Sequence, residues 1–523
     1  MPTFRPYNYN QTAMIVLNYE DQLQPGTFEY AIHYLIEHKL DLSIFYPRYK
    51  NDDNGRPAYD PAILLKIILF AYSKGIKSSR EIQWCCEHNI LFKSLACDAI
   101  PHFTTLAAFV SGRCEEIEAL FEQILLVCYQ QGLLGNELFA IDGCKMSSNA
   151  AKEWSGTFKE LEEKRAKIKR QIRHHMNEHK RLDQQDSRDE VRAQRTQQTI
   201  ETLNSAHDKI DKFLKTNEPR LGKGKHPKEV KSNITDNESA KMTTSKGTIQ
   251  GYNGIASVDK KHQIIIDAQA FGEGQEHHTL KPVLNTIQDR FKRLGISKNI
   301  YKNGIIVTAD TGYANEANMQ YLHEQKIDAY IPDNQFRSRD PKFADQKSKY
   351  GKRNQNNTKN TTPDVFAPSE FTLNPVTKTC ACPAGEDLWL RSERDDQHGN
   401  RKLFFEGRLS KCRSCELKKQ CMRNPDAANT RKGNGRQVSF VIEKGSRAPN
   451  YTDWMKQRVD SDKGKYIYSH RMSVVEPVFA NIGSNKKLNR FGLRSQKKVQ
   501  GQWRLYCMIH NIEKLLNYGE LAA

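Results

Sequence analysis

Long apolar runs are missing from this 523-residue chain. The longest, Ala62–Tyr72, is broken by Lys66 and falls short of the roughly 20 residues needed to cross a bilayer. Met1–Asn10 is polar and holds no apolar segment of the kind that opens a secretory leader. Acidic residues are also in deficit, with 62 Asp+Glu against 81 Lys+Arg and a net charge of +19. These shortages argue against a membrane protein. They lead us to expect a cytoplasmic protein with a polyanionic partner, nucleic acid before an anionic membrane surface. Cysteine is not scarce: there are 12. In a reducing compartment they are expected as buried thiols or metal ligands rather than disulfides. The length exceeds what one core can serve, so about two to four domains are expected.

Residues 55–132 read as short helices joined by tight turns. Asp60 precedes Pro61 as an N-cap precedes a first helical position. Ser78 and Glu81 have the spacing of a capping box, and Ile100–Phe103 is a turn. Such a segment suits helix-turn-helix docking on DNA and suits a plain bundle equally. In residues 152–215 the apolar positions Trp154, Phe158, Leu161, Ile168 and Ile172, then Ile200, Leu203, Ile210 and Leu214, recur at helical spacings amid charged residues. They predict an antiparallel helical hairpin turning near Gln184–Asp189, with Arg165, His175 and His207 on its seam.

Ile305–Ala309 is a short β-branched run behind Gly304, the pattern of a fully buried strand, and Asp310 follows it. Chemistry in covered parallel sheets gathers at the carboxyl ends of strands, although Asp is also an ordinary helix cap. Leu138–Ile141 repeats the pattern and ends in Asp142. Gly247–Asp259 and His262–Phe271 predict a hairpin turning at Asp259–Lys261. A helix over Leu280–Leu294, the strand before Asp310, a helix near Ala314–Gln325 and a strand at Ala329–Ile331 complete an α/β order. A ribonuclease-H-like mixed sheet fits that order.

Residues 333–440 interrupt it, polar and rich in Lys, Asn, Asp and Ser. Cys412-Arg-Ser-Cys415, with Cys421 and an upstream pair Cys380 and Cys382, has the spacing of a tetrahedral zinc site. Cys382, Cys412, Cys415 and Cys421 are the favoured four, Cys380 the substitute, and free thiols the alternative. Order returns with an expected strand at Val438–Ile442. In Tyr466–Phe479, Glu476 is a lone carboxylate among Val474, Val475, Val478 and Phe479, costly to bury unless it has a partner such as Arg471. Residues 483–500 hold Lys486, Lys487, Arg490, Arg494, Lys497 and Lys498 without one acid, a stripe suited to phosphates or to solvent. The helix Gln502–Leu516 is expected to close the core.

Three carboxylates, Asp142, Asp310 and Glu476, thus come from two strand ends and a late helix. Hard divalent cations such as Mg2+ take carboxylate oxygens. A pair of them stabilises both the attacking and the leaving oxygen of an in-line phosphoryl displacement.

On several short stretches in a specific order the chain resembles the DDE transposases of bacterial insertion sequences, in the branch with a cysteine-bearing insertion. The stretches are Gly55–Pro61 with Ser78–Glu81, Ala140–Gly143, Gly251–Asn253, Thr308–Tyr313, Arg471 with Val475–Phe479, and His510-Asn511. The resemblance implies a ribonuclease-H-like core with two Mg2+ ions (or Mn2+) on Asp142, Asp310 and Glu476, assisted by Tyr468 and Arg471. It also implies an N-terminal helical domain that binds transposon ends. Its chemistry is hydrolysis that frees a 3′-hydroxyl, then attack of that hydroxyl on target DNA. The partners so implied are double-stranded DNA, as inverted-repeat ends and target, and a second copy on that DNA, in the cytoplasm at the nucleoid and on no membrane. The Lys expected after Glu476 is replaced by Gly483, and Lys486 or Lys487 are the available substitutes. The expected division is a helical domain (1–132), a catalytic core (133–150, 240–332 and 438–523), a helical-hairpin insertion (151–235) and a Cys-rich insertion (333–437).

Two rival readings differ in kind. Asp310-Thr311-Gly312 spells an aspartic-protease triplet, but that chemistry needs a second such triplet, and Asp142-Gly143-Cys144 is not one. A non-catalytic, transposase-derived, zinc-containing DNA-binding protein would keep the basic stripe and the cysteines without needing all three acids.

Overall fold

Asp60 and Pro61 begin a buried helix as their types predict: the Asp60 carboxylate accepts from the Ala62 N–H at 2.7 Å. The structure is a computed structural model that describes residues 17–49, 57–183, 190–223, 227–244, 247–343, 365–396, 399–430, 432–443 and 450–520. It divides into two compact units, Met1–Asp333 with Ser461–Ala523, and Asn334–Asp460.

The first unit opens with α1 (Phe28–His38), α2 (Pro61–Ser73), α3 (Ser79–His88), α4 (Ile90–Ala96), α5 (Phe103–Gly112) and α6 (Cys114–Gln130). Helix α2 is buried along most of its length, Lys66 included, whose ammonium pairs with Glu37. The capping box expected before α3 does not form. Ser78 stands at the N-cap without a side-chain bond, and Glu81 is exposed.

A mixed sheet follows, centred on β1 (Leu138–Ser147). The two-residue strands β2 (Ser155–Gly156) and β3 (Ser232–Asn233) pair at the base of an insertion made of α7 (Phe158–Asp183) and α8 (Glu190–Thr216). Leu161, Ile168, Ile172, Ile210 and Phe213 form the seam between those helices, and Arg165 is satisfied there by Asp211 at 2.6 Å. The expected turn at 184–189 lies outside the described residues. Strand β5 (Gly247–Asp259) runs antiparallel to β1. Its far edge takes β4 (Ala240–Thr244) along one half and β6 (Ile265–Phe271) along the other, both antiparallel. Across β1, after α9 (Leu280–Arg293), β7 (Ile306–Ala309) pairs in parallel, and β8 (Asp328–Tyr330) extends it in parallel beyond α10 (Glu316–Glu324).

The C-terminal helix Gln496–Tyr518 is buried over much of its length and packs on both α6 and β6. Trp503 donates to the Ile255 carbonyl at 2.9 Å. The Asn511 amide accepts from and donates to the Ile265 backbone, both at 2.8 Å. The helical segment and the sheet therefore share one core, where the sequence reading separates them at residue 132.

The second unit holds an antiparallel sheet in the order β13-β12-β11-β10-β9: β9 (Thr372–Asn374), β10 (Thr379–Ala381), β11 (Asp387–Asp395), β12 (Arg401–Gly407) and β13 (Gln437–Glu443). The sequence places the strand expected at 438–442 in the catalytic core. It belongs here instead, because Val438 joins the buried cluster of Phe371, Cys380, Leu388, Leu403 and Phe405, with Phe440 and Ile442 packed against it. Among the described residues no helix is long and apolar enough to cross a membrane.

Candidate active site

The parallel ladder between β1 and β7 ends with Ile141 opposite Ala309. Asp142 and Asp310 are the next residues on the two adjacent strands, so the backbone alone brings them side by side. Asp142 is not a strand terminus, as the sequence suggested. Strand β1 runs on to Ser147 because β5 continues to pair with it after β7 has ended.

The side chains show what the Asp residues pair with. Asp310 occupies the N-cap of the short turn Thr311–Tyr313 but makes no cap bond. Its carboxylate instead accepts from Arg471 Nη2 at 3.4 Å, and Asp142 accepts from Arg471 Nη1 at 2.7 Å. Arg471 is buried in the helix Asp462–Ala480, with its guanidinium 5.7 Å from the centre of the Tyr468 ring. Burial works against the cation, but Tyr468, Asp142 and Asp310 outweigh it, and the group is held more firmly charged than usual. Burial pushes the Asp142 carboxyl up against the pull of Arg471. The ion pair proposed between Arg471 and Glu476 is absent, since Arg471 faces the two aspartates.

Glu476, one helical turn further on, is exposed and makes no hydrogen bond or ion pair among the described residues. The costly burial inferred from its apolar neighbours does not occur: Val474, Val475 and Val478 face inward and Glu476 faces out. It still lies within electrostatic reach of β1. The Cys144 thiol is pushed up by burial first, then by the charges of Asp142 and Glu476. Asp142 and Cys144 share one strand face, since side chains alternate along a strand.

A fourth carboxylate, Glu276, escaped the sequence reading. It lies in the turn Glu276–His278, against Gly312, and is 3.5 Å from Lys145. Asn253 Nδ2 donates to it at 3.4 Å. Its carboxyl is raised by burial, with Lys145 opposing and Asp142 and Asp310 adding to the rise. A Glu in a polar stretch between strand and helix carries no periodic signal; only its field reveals its neighbours.

The carboxylates near β1 offer hard oxygens, and two of them already converge on one cationic group, so they fit a divalent metal, with the Cys144 thiol as the one soft group beside them. The carboxylates are not drawn together. Among the described residues the one group of three ligand atoms within 4.8 Å of one another is His174, His175 and Glu178, on α7 and away from the sheet.

The basic stripe is split by the fold. Lys486 is buried, with Nζ 2.6 Å from Glu513 and 3.1 Å from the Asn481 side-chain oxygen. It is a structural cation, which corrects its assignment to phosphate binding and leaves it no role as the missing Lys. Gly483 lies in the turn Asn481–Asn485 with open space where a side chain would stand. Lys487, Arg490, Arg494, Lys497 and Lys498 are exposed. Arg490 and Arg494 are fixed on Ser148 and Asn149, donating to the Ser148 and Asn149 carbonyls at 3.1 and 3.0 Å, just past the end of β1. Lys497 is engaged with Glu115 at 2.6 Å.

In the second unit Cys382, Cys412, Cys415 and Cys421 line one cavity of about 40 Å3, and Cys380 is buried in the apolar cluster. His510 and Asn511, part of the resemblance, are structural: the His510 ring contacts the Gln263 carbonyl at 2.9 Å.

Residues 381–516 match the family described as "Transposase DDE domain", and residues 17–112 match "Transposase domain (DUF772)". The first match covers Arg471 and Glu476 but begins beyond Asp142 and Asp310. No curated protein and no solved structure matches the chain.

Proposed function

Starting from a chain that belongs to the insertion-sequence DDE transposases, we propose that it cuts DNA at the ends of its element and joins the freed 3′-hydroxyl to target DNA, with Asp142, Asp310 and Glu476 as its metal-holding acids. The observation that carries this reading is the convergence of Asp142 and Asp310 on Arg471, which lies 329 and 161 positions away in the sequence and five residues before Glu476. Caps and isolated surface pairs give no reason for acids so far apart to share one buried cation. The strand order β6-β5-β1-β7-β8, three antiparallel strands then two parallel ones, supports a ribonuclease-H-like core.

In the first step a water oxygen bonds to phosphorus at the element's end, and the 3′-oxygen leaves as a hydroxyl. In the second, that 3′-oxygen bonds to a target phosphorus and displaces a target 3′-oxygen. Asp142, Asp310 and Glu476 would hold two Mg2+ ions, which when bound stabilise the entering and leaving oxygens. Arg471 pairs with and orients the two aspartates, and Tyr468 flanks its guanidinium. Glu276 adds negative potential beside them, balanced by Lys145. Arg490 and Arg494, held just past the end of β1, and the exposed Lys498 would grip the phosphate backbone. A dimer on DNA follows from the need to hold two ends.

The test is cleavage of DNA carrying the element's ends with Mg2+, Mn2+ or EDTA, using wild type, Asp142→Ala, Asp310→Ala and Glu476→Ala. Loss of metal-held charge stabilisation worth several kcal/mol predicts a fall of about a thousandfold or more for each variant. Metal-independent cutting, or full activity in Asp310→Ala, would refute the assignment.

A further inference from the structure

The second unit has little to hold it together. Its buried apolar cluster is six residues, Phe371, Cys380, Leu388, Leu403, Phe405 and Val438, under a sheet whose strands are largely exposed. Segments with so small a core ordinarily need a cross-link or a metal. The sequence offers five cysteines here for four ligand positions, and the fold sorts them.

Cys380 sits on β10, buried in the cluster, its backbone paired with Leu373 and Leu388. The other four face a single cavity from three chain segments. Cys382 begins a tight turn, Cys382-Pro-Ala-Gly385, closed by the Gly385 N–H donating to the Cys382 carbonyl at 2.8 Å, with Gly385 at φ +78°. Cys412 and Cys415 flank a second turn, and Lys418 N–H donates to the Cys415 carbonyl at 3.2 Å. Cys421 closes the next helical turn. Two glycines hold bare backbone against Cys412: a Cβ at Gly407 would lie 2.9 Å from its sulfur, and one at Gly435 would lie 3.3 Å from it. Arg408, Lys411, Lys418 and Arg436 also line the cavity. A tetrathiolate around a dication has net charge −2, and these four cations suit it.

We propose that Cys382, Cys412, Cys415 and Cys421 bind one structural Zn2+ that staples the second unit, and that Cys380 is a core residue with no part in it. No three of these sulfurs lie within 4.8 Å of one another. Tetrahedral Zn–S bonds of about 2.3 Å draw them inward, and the four thiol protons pass to solvent.

The experiment uses the full chain purified without chelator. Metal analysis is expected to find about one zinc per chain in wild type, in Asp310→Ala and in Cys380→Ala, and less than about a tenth of that in Cys412→Ser and Cys415→Ser. Should a variant fail to fold, exchange of Co2+ into the wild-type chain provides the second measurement. The intense visible bands of tetrahedral cobalt thiolate are expected, and zinc should abolish them. Wild-type protein with neither zinc nor a cobalt spectrum overturns the site. Zinc lost from Cys380→Ala but kept in Cys412→Ser overturns the choice of ligands. Because Asp310→Ala is predicted to keep its zinc, failure of the cleavage reading leaves this test intact.

Discussion

Arg471→Gln tests the centre of the site without any substrate. The Asp142–Arg471 pair is nearly dry, with side chains 17% and 8% exposed, whereas Asp310 is 39% exposed and its pairing is screened. Removing one partner of a buried pair costs about 3–5 kcal/mol, because the other charge is left unpaired. Asp142 can limit that cost by taking a proton. From an unfolded carboxyl near 3.9, protonation costs about 1.4 kcal/mol for each pH unit above that value. At pH 8 this route costs about 5.6 kcal/mol and gives no relief, so the full loss of about 3–5 kcal/mol is expected. At pH 5 it costs about 1.5 kcal/mol, and the loss is capped there. The assay is urea unfolding in EDTA at the two pH values for wild type, Arg471→Gln, Asp142→Asn and the double variant. The double variant should recover most of the loss at pH 8, giving a coupling of about 2–3 kcal/mol. An equal loss at both pH values, or no recovery, would mean that Arg471 does not act through Asp142.

Three further outcomes follow from the same geometry. The Asp142 carboxyl is raised, so it keeps its proton to higher pH than an ordinary acid and a metal must displace it. Mg2+ affinity, read by titration calorimetry, should therefore weaken as pH falls into the acidic range, and at higher pH than it would for ordinary carboxylates, whereas pH-independent binding would place the metal elsewhere. Lys486→Ala should lower thermal stability and leave the salt dependence of DNA binding unchanged, whereas Arg494→Ala should reduce the slope of log K against log salt by about 1. His510 is buried and held neutral, its pKa lowered to about 3. Its contribution to stability is complete above the unfolded value near 6.5 and is lost as pH falls toward 3, amounting to about 2 kcal/mol by pH 5. His510→Gln should flatten unfolding free energy against pH over that interval.

Much of this molecule is decided locally and was readable from the chain. A strand such as Ile306–Ala309 is announced by β-branched residues behind a glycine, and a helix start by Asp60-Pro61, because those preferences act over a few residues. The hairpin insertion is equally plain, since its seam repeats at helical spacing and even its off-pattern Arg165 finds Asp211 across it. The three acids and four cysteines proposed as ligands stand out in the chain by residue type and position alone.

Only tertiary structure decided which groups meet. The β1–β7 register set Asp142 beside Asp310, and a helix hundreds of residues away in sequence supplied the guanidinium between them. Glu276 joined that field from a loop without pattern. Burial chose among identical residue types: Lys486 was drawn inside by Glu513 while Lys487 stayed out, and Cys380 went to the apolar cluster while its four neighbours faced a cavity. Burial and long-range pairing depend on chain segments distant in sequence, and no local window contains both partners. The chain's own order thus determined the parts and their chemistry, and the packing of the sheet against its helices decided which of them work together.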